Sequence, residues 1–521
     1  MAAEGAEGQL PKRDWITSVR MLLSRPVITM LFFGFSAGIP LLLIFSSLSL
    51  WLREAGVERS TVTYFSWAAL AYSFKFLWAP LVDRMPLPFL TARMGRRRAW
   101  LLVSQLAIWA SVFSISLVNP NDLQSLHLMA FAVVALGFSA ATQDIVIDAF
   151  RIESATEEFQ ALMSSTYIAG YRIGMLTSGA GALVLASYFG SSLQEYNYQA
   201  WRLTYMFMSL TMLIGLITTL VVKEPTRSED IARQHTVPQY LKFLSIFLLA
   251  VLVFVTAYLL SSDLVAYLKS GLGELVANHA LASLVVEALR LAAGFLLVFL
   301  FVKAISYTPL YESELINETY IAPVVDFFRR YGKNLAWLLL AFVGFYRISD
   351  IVLGVIANVF FQDMGFTKTE IATVVKTFGL FMTILGGFLG GILALRFGVI
   401  RTLYLGAFLT VATNLLFMVL AEVGHNLPML YIVISADNLT AGLASAAFVA
   451  FLSSLTNVSF TAVQYAIFSS LMTLLPKMIG GYSGSMVDNL GYSNFFLVAS
   501  LIGVPVLALI YLIQRHPAFK R

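Results

Sequence analysis

Trp78-Ala-Pro-Leu-Val-Asp83-Arg84, followed after a gap by Gly95-Arg96-Arg97-Arg98, returns later in the chain as Gly391-Ile-Leu-Ala-Leu395-Arg396-Phe-Gly398. The offset is 312 residues at Asp83 and 303 at Gly95. One event accounts for the drop. Arg84 and Gly95 are 11 residues apart, whereas Arg396 and Gly398 are 2 apart. Working outward, Phe33-Gly34-Phe35-Ser36 matches Val343-Gly344-Phe345-Tyr346 at an offset of 310, and Gly56 matches Gly365 at 309. Phe150 and Phe159 match Phe451 and Phe460 at 301. The chain is an internal duplication held in register, with a loop extended in the first copy.

Composition says what is duplicated. Of 521 residues, 59% are hydrophobic and 12% charged, against about a quarter charged in soluble domains. Apolar runs lie at 26–52, 60–82, 99–121, 123–150, 159–194 and 203–222, then at 335–361, 371–395, 402–421, 427–451, 460–486 and 490–514. Each reaches the ~20 residues that cross a bilayer as a helix. Continuous apolarity is a helix pattern rather than a barrel one, and lipid offers the backbone no partners. The reading is an all-α membrane protein of two six-helix bundles, 26–222 and 335–514. A polar segment 1–25, which does not read as a secretory signal, and a tail 515–521 flank them. The stretch 223–334 carries two more apolar runs, about 243–262 and 280–302, read as an inserted hairpin that brings the total to fourteen. Glu287 and Arg290, three apart in the second run, can pair on one helix face.

Basic residues cluster at Arg20 and Arg25, at Arg84–Arg98, around the insertion (Lys223, Arg329, Arg330, Lys333), at Arg396 and Arg401, and at Arg515–Arg521. All fall on one side when the inserted spans are paired. By the positive-inside rule that side, with both termini, is expected to be cytoplasmic. The two copies then begin on the same side, as parallel repeats whose substrate site lies between them. With no Cys and five scattered His, thiol chemistry and a metal centre are not expected. No nucleophile–base set suggests an enzyme, no cofactor is implied, and the net charge of +5 is membrane topology rather than nucleic-acid binding.

The Asp83–Arg98 stretch resembles the loop signature of the major facilitator superfamily. Five further stretches narrow the likeness: Phe74-Lys75-Phe-Leu-Trp78-Ala-Pro80, Gln143-Asp144-Ile-Val-Ile-Asp148-Ala, Gly170-Tyr171-Arg172-Ile-Gly174-Met, Lys376-Thr377-Phe-Gly379-Leu and Asp437-Asn438-Leu. Together they resemble the AmpG muropeptide permeases. That resemblance implies a monomeric permease of the bacterial inner membrane. It would import anhydro-muropeptides (GlcNAc linked to 1,6-anhydro-MurNAc, with or without stem peptide) with protons, for peptidoglycan recycling and β-lactamase induction. A related branch carries acetyl-CoA, so another large anion such as an acyl-CoA or a nucleotide-sugar is the alternative cargo. The resemblance also implies a conformational latch built from Asp83, Arg84, Arg96 and Arg97. Arg151, at the end of the fourth span, is read as the partner of Asp83. Structural ion pairs at a water interface are the other reading of these residues.

Ionisable groups inside spans cost about 2.5–3.5 kcal/mol each and face a cavity or a partner. Lys75, Asp144, Asp148, Arg172, Arg347, Asp350 and Asp437 qualify. Asp144 and Asp148 are four apart and share a helix face. Two crowded carboxylates suit proton coupling, unless Lys75 or Arg172 neutralises them. Arg347 and Asp350, three apart, can neutralise each other, yet that pair exists in one copy only, which makes Asp350 a proton candidate as well. Asp437 has no basic neighbour in its span and is a further proton candidate. Lys75, Arg172, Arg347 and Lys376 are candidates to meet substrate carboxylates, Arg by a bidentate fork. Gln143, Asn438 and Gln464 could bond sugar hydroxyls or N-acetyl groups, and Tyr171 could stack on a sugar.

Overall fold

The structure is a computed structural model that describes residues 21–57, 65, 70–121, 123–191, 195–225, 236–276, 279–308, 311–367, 370–480 and 483–519. Most of 1–25, of the first half of the run at 60–82, and Lys520 and Arg521 lie outside the described residues.

The first bundle has six helices. α1 runs Arg25–Leu42, widens through a π-helical turn Leu43–Ser47 and continues as Leu48–Glu54. α2 is broken into Leu70–Phe74, a 3-10 turn Lys75–Leu77, and Ala79–Arg84. α3 is Arg96–Ser116 and α4 is Leu123–Ser154. α5 is Glu157–Leu176, a π-helical turn Thr177–Gly181 and Ala182–Tyr188; α6 is Tyr198–Thr211 with Leu213–Val221. The insertion holds α7 (Val237–Leu260), α8 (Ser262–Val276) and α9 (His279–Ile305). The expected hairpin is therefore α7 and α9, with an additional helix between them. Lys269 on α8 takes Glu287 at 2.6 Å, while Arg290 reaches Glu287 only at 3.5 Å.

The second bundle repeats the plan. α10 is Ala322–Phe345 and continues as Ile348–Asp363; α11 is a π-helical segment Ile371–Phe378 followed by Gly379–Phe397. α12 is Val399–Val423, α13 Leu427–Leu455, α14 Thr461–Gly480 and α15 Ser483–Arg515. Gly332 (φ 70°) breaks α10, and Gly491 (φ 75°) breaks α15, so the spans proper begin just after each. Among the described residues, twelve helices are long and apolar enough to cross a membrane. The two remaining spans expected are the interrupted α2 and α14.

Backbone geometry carries the duplication. Left-handed glycines stand in matching loops: Gly56 with Gly365, Gly95 with Gly398, and Gly190 with Gly491. At Gly95 (φ +87°) a Cβ would also lie 2.3 Å from Glu224, whose carboxylate accepts the Arg97 and Arg98 N–H groups at 2.8 and 3.0 Å and caps α3.

The helices pack through small residues, as bilayer packing demands. A Cβ on Gly34 of α1 would sit 2.1 Å from the Tyr167 carbonyl oxygen of α5, and one on Gly170 of α5 would sit 2.0 Å from that of Leu31. In the second bundle the close crossing is α11 on α13, where Gly386 meets the Leu439 carbonyl and Gly442 that of Thr383. Outward faces remain apolar, with Phe131, Val184, Leu252, Phe299, Trp337 and Leu501 exposed.

The bundles meet at one end. α5 packs on α11 and α13, and α14 packs on α2 and α4. The Asp83–Arg98 loop lies at this end, here termed the basic end. Toward the other end, Leu48–Glu54, Ala182–Tyr188 and Ile371–Phe378 take their main contacts within their own bundles.

Candidate functional site

A line of four charges crosses the first bundle. Pro80 has no N–H to give the Phe76 carbonyl, so α2 breaks there and turns Lys75 inward. Lys75 Nζ bonds Asp144 Oδ2 and lies 3.6 Å from Asp148 Oδ2. Arg151 Nη2 reaches Asp148 Oδ1 at 3.2 Å, and the Tyr167 hydroxyl donates to Asp144 Oδ1 at 2.9 Å. The side chains of Lys75 and Arg151 are 5% and 0% exposed; those of Asp144 and Asp148 are 19% and 9%. Two cations balance two carboxylates, and Asp144 keeps the most access to solvent.

The duplication shows that this line is an addition. The offset of 312 at Asp83 places Lys75 on Gly387, and the offset of 301 at Phe150 places Asp144 on Ser445. The second bundle builds the corresponding crossing from glycine, the first from ion pairs.

A second group spans the seam. Arg347 on α10 pairs with Asp350, one turn on. Asp350 is an electrostatic neighbour of Asp437 on α13, and Arg172 on α5 is a neighbour of both Arg347 and Asp350. Arg172 thus faces the opposite bundle rather than the Asp144–Asp148 pair. Tyr171, its ring tilted against that of Tyr167 at 6.1 Å, lies between the two groups, an electrostatic neighbour of both Asp144 and Arg172. Lys376 lies exposed on the π-helical turn of α11.

Three amide candidates bond to other protein groups, Gln143 through its oxygen alone. Gln143 is fully buried and accepts the Ser36 hydroxyl at 3.0 Å. Asn438 accepts from Thr383 at 2.9 Å and donates to the Ile434 carbonyl at 3.1 Å. Gln464 is at the basic end. Its Nε2 donates to the Pro323 carbonyl (2.7 Å) and Asp326 (2.9 Å), and its Oε1 accepts from Arg330 (3.0 Å) and the Asn457 N–H (2.7 Å). It fastens the insertion to α14.

The basic end is closed by a network whose centre differs from the expectation. Arg97, not Arg151, is the partner of Asp83: its Nη2 lies 2.6 Å from Asp83 Oδ1. The same guanidinium forks onto Glu153 at 2.5 and 3.1 Å, and donates to Thr461 Oγ1 of the second bundle at 2.8 Å. The Thr461 hydroxyl in turn donates to Glu153. Arg96 donates to the Asp83 carbonyl, and Arg84 lies over the Phe460 ring at 5.4 Å. Arg151 is drawn off by Asp148, and by Gln160, Ser164 and Ser453, the last of these across the seam at 2.8 Å. Ser165 adds a bond to the Gly387 carbonyl at 2.6 Å. Glu153 and Thr461 escaped the sequence reading. The available signal was a carboxylate two residues past Arg151, on the same side as the arginine triplet.

Comparison with known proteins agrees with this architecture. The family model described as "Major Facilitator Superfamily" matches residues 27–328 and 336–521. A putative transporter AmpG 4 of Rickettsia conorii is 30% identical over 474 residues, covering 91% of this chain and 93% of that protein. The anhydromuropeptide permease of Escherichia coli K12 is 27% identical over 493 residues, covering 94% and 80%. Among solved structures, the proton:xylose symporter XylE superposes with a TM-score of 0.58 at 12% identity, covering 93% and 94%, a likeness of fold. The chain is a multi-pass membrane transporter, and it belongs to the major facilitator superfamily, in the branch of AmpG-type transporters.

Proposed function

We propose that the protein imports anhydro-muropeptides, GlcNAc linked to 1,6-anhydro-MurNAc with or without stem peptide, from periplasm to cytoplasm with protons. The basic end and both termini face the cytoplasm of a bacterial inner membrane, so the conformation described is closed inward. The observation that carries this reading is the pair of charge groups placed side by side. Arg172 and Arg347, one from each bundle, present guanidiniums at the seam, suited to substrate carboxylates. The Lys75–Asp144–Asp148–Arg151 line lies one helix turn from Arg172 through Tyr171, where a proton on Asp144 would release Lys75. The E. coli relative that bears the name of anhydromuropeptide permease supports the choice of cargo.

Substrate carboxylates would compete with Asp350 for Arg347. Asp350 and Asp437 would then face each other with less cation between them, and they are the second pair of proton candidates. The cargo is tested by uptake of labelled GlcNAc–1,6-anhydro-MurNAc, an acyl-CoA and a nucleotide-sugar, each into proteoliposomes. Saturable uptake of the anhydro-disaccharide alone is expected. Uptake of only one of the other two would replace the cargo assignment.

A further inference from the structure

The break in α2 leaves a backbone group to be satisfied. In an unbroken helix the Leu77 carbonyl would accept the Leu81 N–H. Here that N–H turns to Trp78, at 3.0 Å, and the Trp78 carbonyl also takes Val82. The Leu77 carbonyl instead accepts the hydroxyl of Tyr320 at 2.9 Å. Tyr320 belongs to neither bundle. It sits on the π-helical turn Asn317–Ile321 of the insertion, its ring 5.9 Å from Phe243 of α7. A second brace comes from α9, where Phe295 lies 6.2 Å from Phe74, the residue before Lys75. Phe295 is itself backed by Phe254 of α7 at 5.3 Å, which Gly294 leaves room for. Below the break, Leu81 is buried with Tyr240, Phe243, Leu315 and Ile316. The insertion therefore grips α2 on both sides of the one turn that carries Lys75.

We infer that the insertion is a brace for proton coupling, with Tyr320 as a positioning residue that holds the broken turn of α2 and so keeps Lys75 on Asp144 and Asp148. This rests on the proton role proposed for those carboxylates. Buried backbone carbonyls are paired almost without exception, and in hydrocarbon an unpaired one is costlier still. Without the hydroxyl, Leu77 must seek an internal donor. The nearest donor is the Leu81 N–H, and drawing it back onto Leu77 twists the turn that Pro80 keeps broken and displaces Lys75 from α4. Among the described residues, the charged and titratable groups facing Lys75 or its carboxylate partners are Asp144, Asp148 and Arg151 of α4, Tyr72 of α2, Tyr167 and Tyr171 of α5, and Tyr465 of α14. The other cation among them, Arg151, is engaged by Asp148, Gln160, Ser164 and Ser453.

The test is the pH profile of anhydro-disaccharide uptake in proteoliposomes for wild type, Lys75→Gln and Tyr320→Phe. An opposite charge at this range moves a titration by 1–3 units, so Lys75→Gln should shift the midpoint by about that much. Tyr320→Phe keeps the ring against Phe243 and should shift it in the same direction by about half a unit or more. A wild-type midpoint for Tyr320→Phe beside a shifted Lys75→Gln overturns the brace, whatever the rate. If Lys75→Gln leaves the midpoint in place, the proton assignment fails and the brace falls with it. Should Tyr320→Phe fail to reach the membrane, Phe295→Leu loosens the other side of the turn. A shifted midpoint there supports the brace, and an unshifted one overturns it.

Discussion

Thr461→Val isolates what holds the basic end shut. The substitution keeps shape and removes one hydroxyl, which accepts from Arg97 at 2.8 Å and donates to Glu153. Both bonds cross between bundles. Arg97, Glu153 and Asp83 all belong to the first bundle, so their mutual contacts do not depend on the second. The loss therefore falls on the closed state alone, because water replaces the hydroxyl once the end opens. A hydrogen bond to a charged group is worth about 1.5–3 kcal/mol. Two are lost, and relaxation recovers a part, so about 2 kcal/mol is a fair net figure. That corresponds to a roughly 30-fold rise in the ratio of open to closed. The chain has no cysteine, so Ser165→Cys provides a lone thiol at the seam, beside the Gly387 carbonyl. Its reaction with a membrane-impermeant maleimide, supplied from the basic side, reports opening. Thr461→Val should raise that rate about 30-fold where the closed state dominates. A rate within twofold of the parent would refute the view that this network is the latch.

Other substitutions probe other levels. Asp144→Asn removes the carboxylate that Lys75 binds, and should abolish proton-driven accumulation while leaving expression and substrate counterflow; normal accumulation would move the coupling elsewhere. Gly170→Val places a side chain where even a Cβ is 2.0 Å from the Leu31 carbonyl oxygen. Separating α1 from α5 should cost about 3 kcal/mol or more and lower the melting temperature in detergent sharply, so an unchanged melting temperature would contradict the packing. Gln464→Ala strands the Asp326–Arg330 pair and the Asn457 N–H, at about 1–3 kcal/mol. It should lower thermal stability without changing the apparent substrate affinity, whereas a selective rise in KM would return Gln464 to the substrate site.

Hydrophobic runs and the in-register duplication made the two bundles legible in the chain, because bilayer thickness leaves little freedom in span length. The glycine pairs at 56/365 and 95/398 carried the repeat into three dimensions, where both members of each pair are left-handed. The charges inside apolar runs were also legible, since an ionisable group stands out there. Their partners were not. Asp83 pairs with Arg97 instead of Arg151 because the loop turning at Gly95 folds its arginines back under α2, and no spacing rule reports that turn. From the sequence Gln464 is a sugar-ligand candidate because it is polar and in a span; its amide is filled by Pro323, Asp326, Arg330 and Asn457, the first three more than a hundred residues away. Glu153 and Thr461 are hard to pick out for the same reason: each is ordinary in its own helix, and its partner Arg97 comes from another helix, for Thr461 one across the seam.

The most direct test of the whole account is a paired reading on proteoliposomes holding a pH-sensitive dye. Labelled GlcNAc–1,6-anhydro-MurNAc is supplied outside, with and without an imposed gradient, acid outside. The account predicts that substrate alone acidifies the lumen, and that the gradient drives substrate above its external concentration. Equilibration of the sugar to the same level under both conditions, with no movement of protons, would contradict it.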